Sequence, residues 1–194
     1  MSISFPRAAL TCLVAIGASI GAAAQTIPKD KGAARTVGLF SFLCLKQLPD
    51  LGGVERAAGF GEFDQLTGED LKPYMPQSPA EKLFAWRYHD HGERFILTAA
   101  RSKPDDAFKK QVPAFANATN TACSLLVPGA KPDPLLGELT RTMGRAADRT
   151  WQEGATQVHT WTHQQGNALS YVHYYAPDRA GATAVLSGSV FVKK

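Results

Sequence analysis

The sequence predicts an α+β fold: a single antiparallel sheet of about six strands, with helices packed on one face, in the order α-βββ-α-βββ. Three observations carry this. Phe84-Ala85-Trp86-Arg87-Tyr88 and Arg94-Phe95-Ile96-Leu97-Thr98-Ala99 alternate on either side of His91-Gly92. A two-residue turn there pairs Tyr88 with Phe95, Trp86 with Leu97 and Phe84 with Ala99, and puts all six on one face, so turn and pattern agree. Helical periodicity appears once before this hairpin and once after the following strand. The chain then closes on three strand-like runs, two of them rich in Thr, Val, Trp and Tyr and the last, Thr183 to Val192, with one apolar face.

The first residues read as a targeting segment. Arg7 supplies the positive charge, Ala8 to Ile20 an apolar run short of the ~20 residues that span a bilayer, and Ala22-Ala23-Ala24 the cleavage site. Residues 1–24 are therefore expected to be a signal peptide, 25–36 a flexible lead-in and 37–194 one α+β domain. Cys12 precedes most of the apolar run, so it does not serve as a lipidation cysteine, and no stable membrane anchor is expected after cleavage. Without Arg7, the 21 basic residues become 20, against 17 acidic. The charge is dispersed, with no Lys/Arg stripe interleaved with aromatics, which argues against nucleic acid as a partner.

Three cysteines are present, and only Cys44 and Cys123 lie beyond the predicted cleavage site. In an exported protein two such cysteines read as one disulfide. Thr121 to Val127 is the strand it pins, with Cys123, Leu125 and Val127 on one face.

Val37, Phe40, Cys44 and Leu48 line one side of the first helix, which Pro49 stops. A short second helix follows from Asp50 to Ala58, with Gly59 as its C-cap and with Gly52 and Gly53 weakening it. Phe60 to Lys82, with prolines at 73, 76 and 79, reads as a surface connection with one helical turn near Glu69–Leu71. Ser102 to Asn120 is polar, with a short helix from Asp105 to Val112. Asp133 as N-cap and Pro134 at the first position open the later helix, whose apolar side is Leu135, Leu136, Leu139, Met143 and Ala146, with Gly154 ending the segment. Val158–His163 and Ala168–Tyr175 form a hairpin about Gly166-Asn167. In the last strand Ala184, Leu186, Gly188, Val190 and Val192 share a face.

Residues that carry chemistry are sparse. His89 and His91 would point the same way on a strand, and a zinc site needs at least one further ligand from elsewhere. His159 and His163, four residues apart on a strand, are ~13 Å apart and do not share an ion. With the Gly-Asn turn His159 faces Tyr174. No G-x-S-x-G occurs, and Ser187-Gly188-Ser189 reads as small residues beneath a helix. No cofactor is assigned. The sheet face turned away from the helices holds Ile96, Leu169, Tyr171, His173, Tyr175 and Phe191, apolar in body and polar at the tips, a composition favoured at interfaces. Phe60–Lys82 and Ser102–Asn120 are the stretches available to cover it.

Phe40-Ser41-Phe42-Leu43-Cys44, Ala57-Ala58-Gly59-Phe60, Arg94-Phe95-Ile96-Leu97 and Ala122-Cys123-Ser124-Leu125, with the later helix and closing strands, resemble a group of small exported proteins or lipoproteins of proteobacteria. The resemblance spans most of the chain after the signal peptide. It implies a periplasmic setting and pairing of Cys44 with Cys123, and it brings no activity. The chain departs from the lipoprotein members in lacking a usable lipobox cysteine. The expectation is an exported, non-enzymatic module that binds an envelope protein or a small ligand through Tyr171, His173, Tyr175, Leu169 and Ile96. The alternatives are an inhibitor or immunity-type protein acting through Phe60–Lys82, and a metal-dependent hydrolase using His89 and His91.

Overall fold

The computed structural model describes residues 30–61, 63–75, 79–90 and 93–193. The expected signal peptide, residues 1–24, and the expected turn at His91-Gly92 lie outside the described residues. Among those described, one antiparallel sheet has eight strands, in the order β1-β2-β3-β4-β8-β7-β6-β5. They are β1 (Asp64–Gln65), β2 (Ala80–Asp90), β3 (Glu93–Ser102), β4 (Thr119–Val127), β5 (Arg149–Glu153), β6 (Thr156–Gln165), β7 (Ala168–Pro177) and β8 (Ala184–Val192). The six expected strands are all present. The two additional ones, β1 and β5, are short and exposed, so neither carries the apolar alternation by which a strand is recognised.

The register bears out the hairpin: Tyr88 faces Phe95, Trp86 faces Leu97 and Phe84 faces Ala99. In the later hairpin Gln165 pairs with Ala168 about Gly166-Asn167, and His159 faces Tyr174. Strand β4 alternates as expected, with Thr121, Cys123, Leu125 and Val127 buried.

Three helices cover one face: α1 (Lys31–Phe40), α2 (Leu51–Phe60) and α4 (Pro132–Met143). Helix α1 starts earlier than the sequence suggests. Asp30 caps it, accepting from the Ala33 N–H at 3.0 Å. Only small residues of its first turns, Ala33 and Thr36, reach the core, so the pattern there has no large apolar residue to mark it. Ser41–Leu45 continues α1 as one π-helical turn, where Leu43 and Cys44 are both buried. Cys44 is bonded to Cys123, with Cα atoms 5.4 Å apart. That is an ordinary separation for a disulfide, and it ties the helical layer to a central strand.

Helix α2 runs to Phe60 despite its two early glycines, and at Gly53 the added atom of an alanine would meet flexible side-chain ends. A Cβ on Gly53 would lie 3.0 Å from Gln47 Oε1 and 3.1 Å from Asp50 Oδ2. Helix α4 starts at Pro132, with Lys131 rather than Asp133 as its N-cap. It ends at Gly144, whose φ of +69° is the left-handed conformation glycine adopts freely. Ala146 is therefore not on α4. Beyond the stop, the chain turns into β5 instead of extending the helix to Gly154. Trp161 Nε1 donates to the Arg145 carbonyl at 2.9 Å and anchors this corner.

The placement of helices on one face needs correction. The short α3 (Asp106–Gln111) and the 3-10 turns Gly68–Tyr74 and Pro113–Phe115 belong to connections that pack on the opposite face. Leu66, with Leu71 and Tyr74 against it, covers Ala85 and Ile96. Phe115, with Phe108 and Val112, covers Leu169 and Phe191. The Phe108 ring stacks on Phe191 with centroids 3.9 Å apart. These apolar residues are spaced among prolines and charges, so no periodicity marks them as cover.

Candidate functional site

Beyond the two covers the second face continues over β7, β6 and β5, half-buried at Tyr171, His173 and Tyr175, buried at Val158 and Thr160, and exposed at Trp151. Its side chains form register rows. One row runs Leu126, Val185, Tyr175, Val158, Trp151, and the next runs Ser124, Ser187, His173, Thr160, Arg149. A third brings Tyr171 beside Ser189 and Thr162. The result is a polar strip of hydroxyls and one imidazole, flanked by aromatic rings.

The expected face residues fall into two groups. Leu169 and Ile96 are 4% and 9% exposed beneath the covers, which leaves them little surface to offer a ligand. Tyr171, His173 and Tyr175 are half-buried and follow one another along β7. Tyr171 and His173 lie parallel, with ring centroids 5.7 Å apart, and His173 and Tyr175 are 5.9 Å apart. Tyr171 also meets the edge of Phe108. Alternate side chains on one strand are spaced close to two residue rises, so a ladder of rings follows from the Tyr-x-His-x-Tyr pattern.

The sequence reading missed Trp151. It is 39% exposed and sits edge-on to His173 at 6.5 Å. The usable signal was local: a Thr-Trp pair before Gly154-Ala155, with strand pattern resuming at Thr156. That is a two-residue hairpin loop, with Gly154 at φ +59°.

His173 Nδ1 and Thr160 Oγ1 are hydrogen-bonded at 2.8 Å. Burial holds the His173 imidazole below its ordinary pKa, and burial raises Tyr171 and Tyr175, the latter helped by Glu153. His159 lies on the helix side. It bonds Thr150 at 3.1 Å and Gln157 at 3.2 Å, one through each ring nitrogen, in a recess of about 460 Å³ beside the start of α4. Burial lowers its pKa too.

Both histidines are thus held neutral in the fold while the unfolded chain titrates near 6.5. Their contribution is present above about pH 6.5 and is lost as pH falls through the lowered folded values. The melting temperature is expected to drop between pH 7 and 5, before the carboxylates protonate. His159→Gln with His173→Gln should flatten that slope. An unchanged slope in this variant would place the acid sensitivity elsewhere.

His89 is exposed near the end of β2, and His91 lies outside the described residues. Among the described residues no group of three or more His, Cys, Asp or Glu converges on a point that could hold a metal. Ser187 and Ser189 face the second side, where Ser187 Oγ accepts from Ser124 Oγ at 2.8 Å. Gly188 lies under Leu45 and Leu48, as small residues beneath a helix should. No helix among the described residues is long and apolar enough to cross a membrane. No family model, curated protein or solved structure matches this chain.

Proposed function

We propose that this is an exported binding module, and that it takes its ligand on the open part of the second sheet face. The supporting observation is the ladder Tyr171, His173, Tyr175 on β7, with Trp151 exposed beside it and the hydroxyls of Ser187 and Ser124 in the row of His173. Rings of this kind give a partner large, rigid contact area, and their polar tips with the hydroxyl row supply directional bonds. Such a floor suits a ligand with a flat apolar face and hydrogen-bonding edges, such as an extended peptide or a sugar chain. The Cys44–Cys123 bond fits an oxidising compartment, and the resemblance to small exported proteobacterial proteins points to the periplasm.

A second reading is supported by one observation. Phe60 is 84% exposed and Met75 63% exposed, both in the stretch expected to plug a target in an inhibitor-type protein.

Photo-cross-linking in cells separates the two. A cross-linker replacing Thr162, beside Tyr171, is expected to capture an envelope component, and Tyr171→Ala with Tyr175→Ala to abolish the adduct. Each tyrosine truncation should weaken binding roughly tenfold or more. Adducts only from a cross-linker at Phe60 would favour the inhibitor reading. No adduct at Thr162 would sink the sheet-face reading.

A further inference from the structure

The two edges of the sheet are treated differently. At one, β1 is two residues long, and a very short edge strand gives little template for pairing. At the other, β5 presents five residues, Arg149-Thr150-Trp151-Gln152-Glu153, all exposed. It carries no proline, lysine or bulge of the kind that blunts an edge. We infer that β5 pairs antiparallel with β5 of a second copy of this chain, about a two-fold axis through Trp151.

The sequence of the strand argues for that occupant. In an antiparallel register centred on Trp151, Arg149 falls opposite Glu153 of the other copy, Thr150 opposite Gln152, and Trp151 opposite Trp151. The two-fold makes both Arg–Glu pairs at once. Arg149, Trp151 and Glu153 project to one face, because their neighbours Thr160, Val158 and Thr156 alternate with His159 and Gln157. Side chains directly opposite on such a pair have Cβ atoms about 4.5–5.5 Å apart, within reach of a charge pair. Among the described residues neither Arg149 nor Glu153 has an ion-pair partner in its own copy. A slip of one residue sends the two tryptophans to opposite faces, and a slip of two loses the Arg–Glu matches. Parallel pairing in register would set arginine against arginine. The charge pattern therefore selects one arrangement.

Pairing joins two eight-stranded sheets and carries the Tyr175–Val158–Trp151 row across the axis. A five-residue ribbon buries well under the ~1,200 Å² of a stable complex, so the dimer is weak, with a dissociation constant on the order of 10–100 μM.

Sedimentation velocity on the full chain, without ligand, tests this independently of the proposed ligand face. The weight-average mass is expected to rise from monomer toward dimer between about 5 and 500 μM. Glu153→Arg or Arg149→Glu alone places like charges opposite each other and should weaken association at least tenfold. The double variant Arg149→Glu with Glu153→Arg restores both pairs and should recover the wild-type constant within about threefold. These positions are exposed, so folding of each variant is confirmed by its melting curve. A wild-type chain that stays monomeric to about 1 mM, single variants that associate like wild type, or a double variant as weak as the singles would each overturn the pairing.

Discussion

Breaking the Cys44–Cys123 bond should destabilise the protein by about 4–5 kcal/mol. The two cysteines are 79 residues apart, and the chain-entropy treatment of a loop that size gives this figure. Both half-cystines are fully buried, Cys44 on the π-helical turn and Cys123 on β4, so a reduced pair would leave two thiols in a tightly packed layer. For a domain of this length the loss corresponds to a fall in melting temperature on the order of 10 °C. The comparison is a thermal melt with and without dithiothreitol under unfolding conditions, with Cys44→Ala/Cys123→Ala alongside. Coincident melts would mean that the cross-link constrains little in the unfolded chain.

Gly188→Val is expected to cost about 3 kcal/mol or more. A Cβ at Gly188 would lie 3.1 Å from Leu48 Cδ1 and 3.2 Å from Leu45 Cδ2, in the middle of β8. Alanine would force shifts of a few tenths of an ångström, for about 1–2 kcal/mol, and the branched valine exceeds what the two leucines can yield. Ser187→Val is the matched control. It sits one residue away on the other face, where it loses the Ser124 hydrogen bond at about 1 kcal/mol. Chemical denaturation reads both. A Gly188→Val chain as stable as Ser187→Val would mean that the turn carrying Leu45 and Leu48 is not pressed against the sheet.

How far the sequence could be read depended on burial. The β2–β3 hairpin was legible because Phe84, Trp86 and Tyr88 alternate and the turn length fixes their partners, so two independent signals had to agree. The disulfide was legible because compartment and cysteine number left one pairing. The ends of helices were less legible. Pro132, Asp133 and Pro134 offer competing starts, and Gly144 stopped α4 although Ala146 continued its spacing. Strand β5 was invisible for the opposite reason: an edge strand with both faces wet has nothing to alternate. Trp151 was lost with it. The three β7 residues of the candidate site could be named because they belong to a strand whose other face, Val172, Tyr174 and Ala176, is buried against the helices. Which of their neighbours stay open was set by Phe108, Phe115 and Leu66, side chains isolated in connections that follow no period.

Strand β8 follows the other seven strands in the sequence, yet it does not sit at a margin. It lies between β4 and β7, and its pairing with β4 joins residues more than fifty positions apart. The sheet is thus two separate meanders until the C-terminal strand arrives, and vectorial folding from the N-terminus stops short of a closed core. Closure of the core must wait for β8, with the slow, non-local search typical of such pairings.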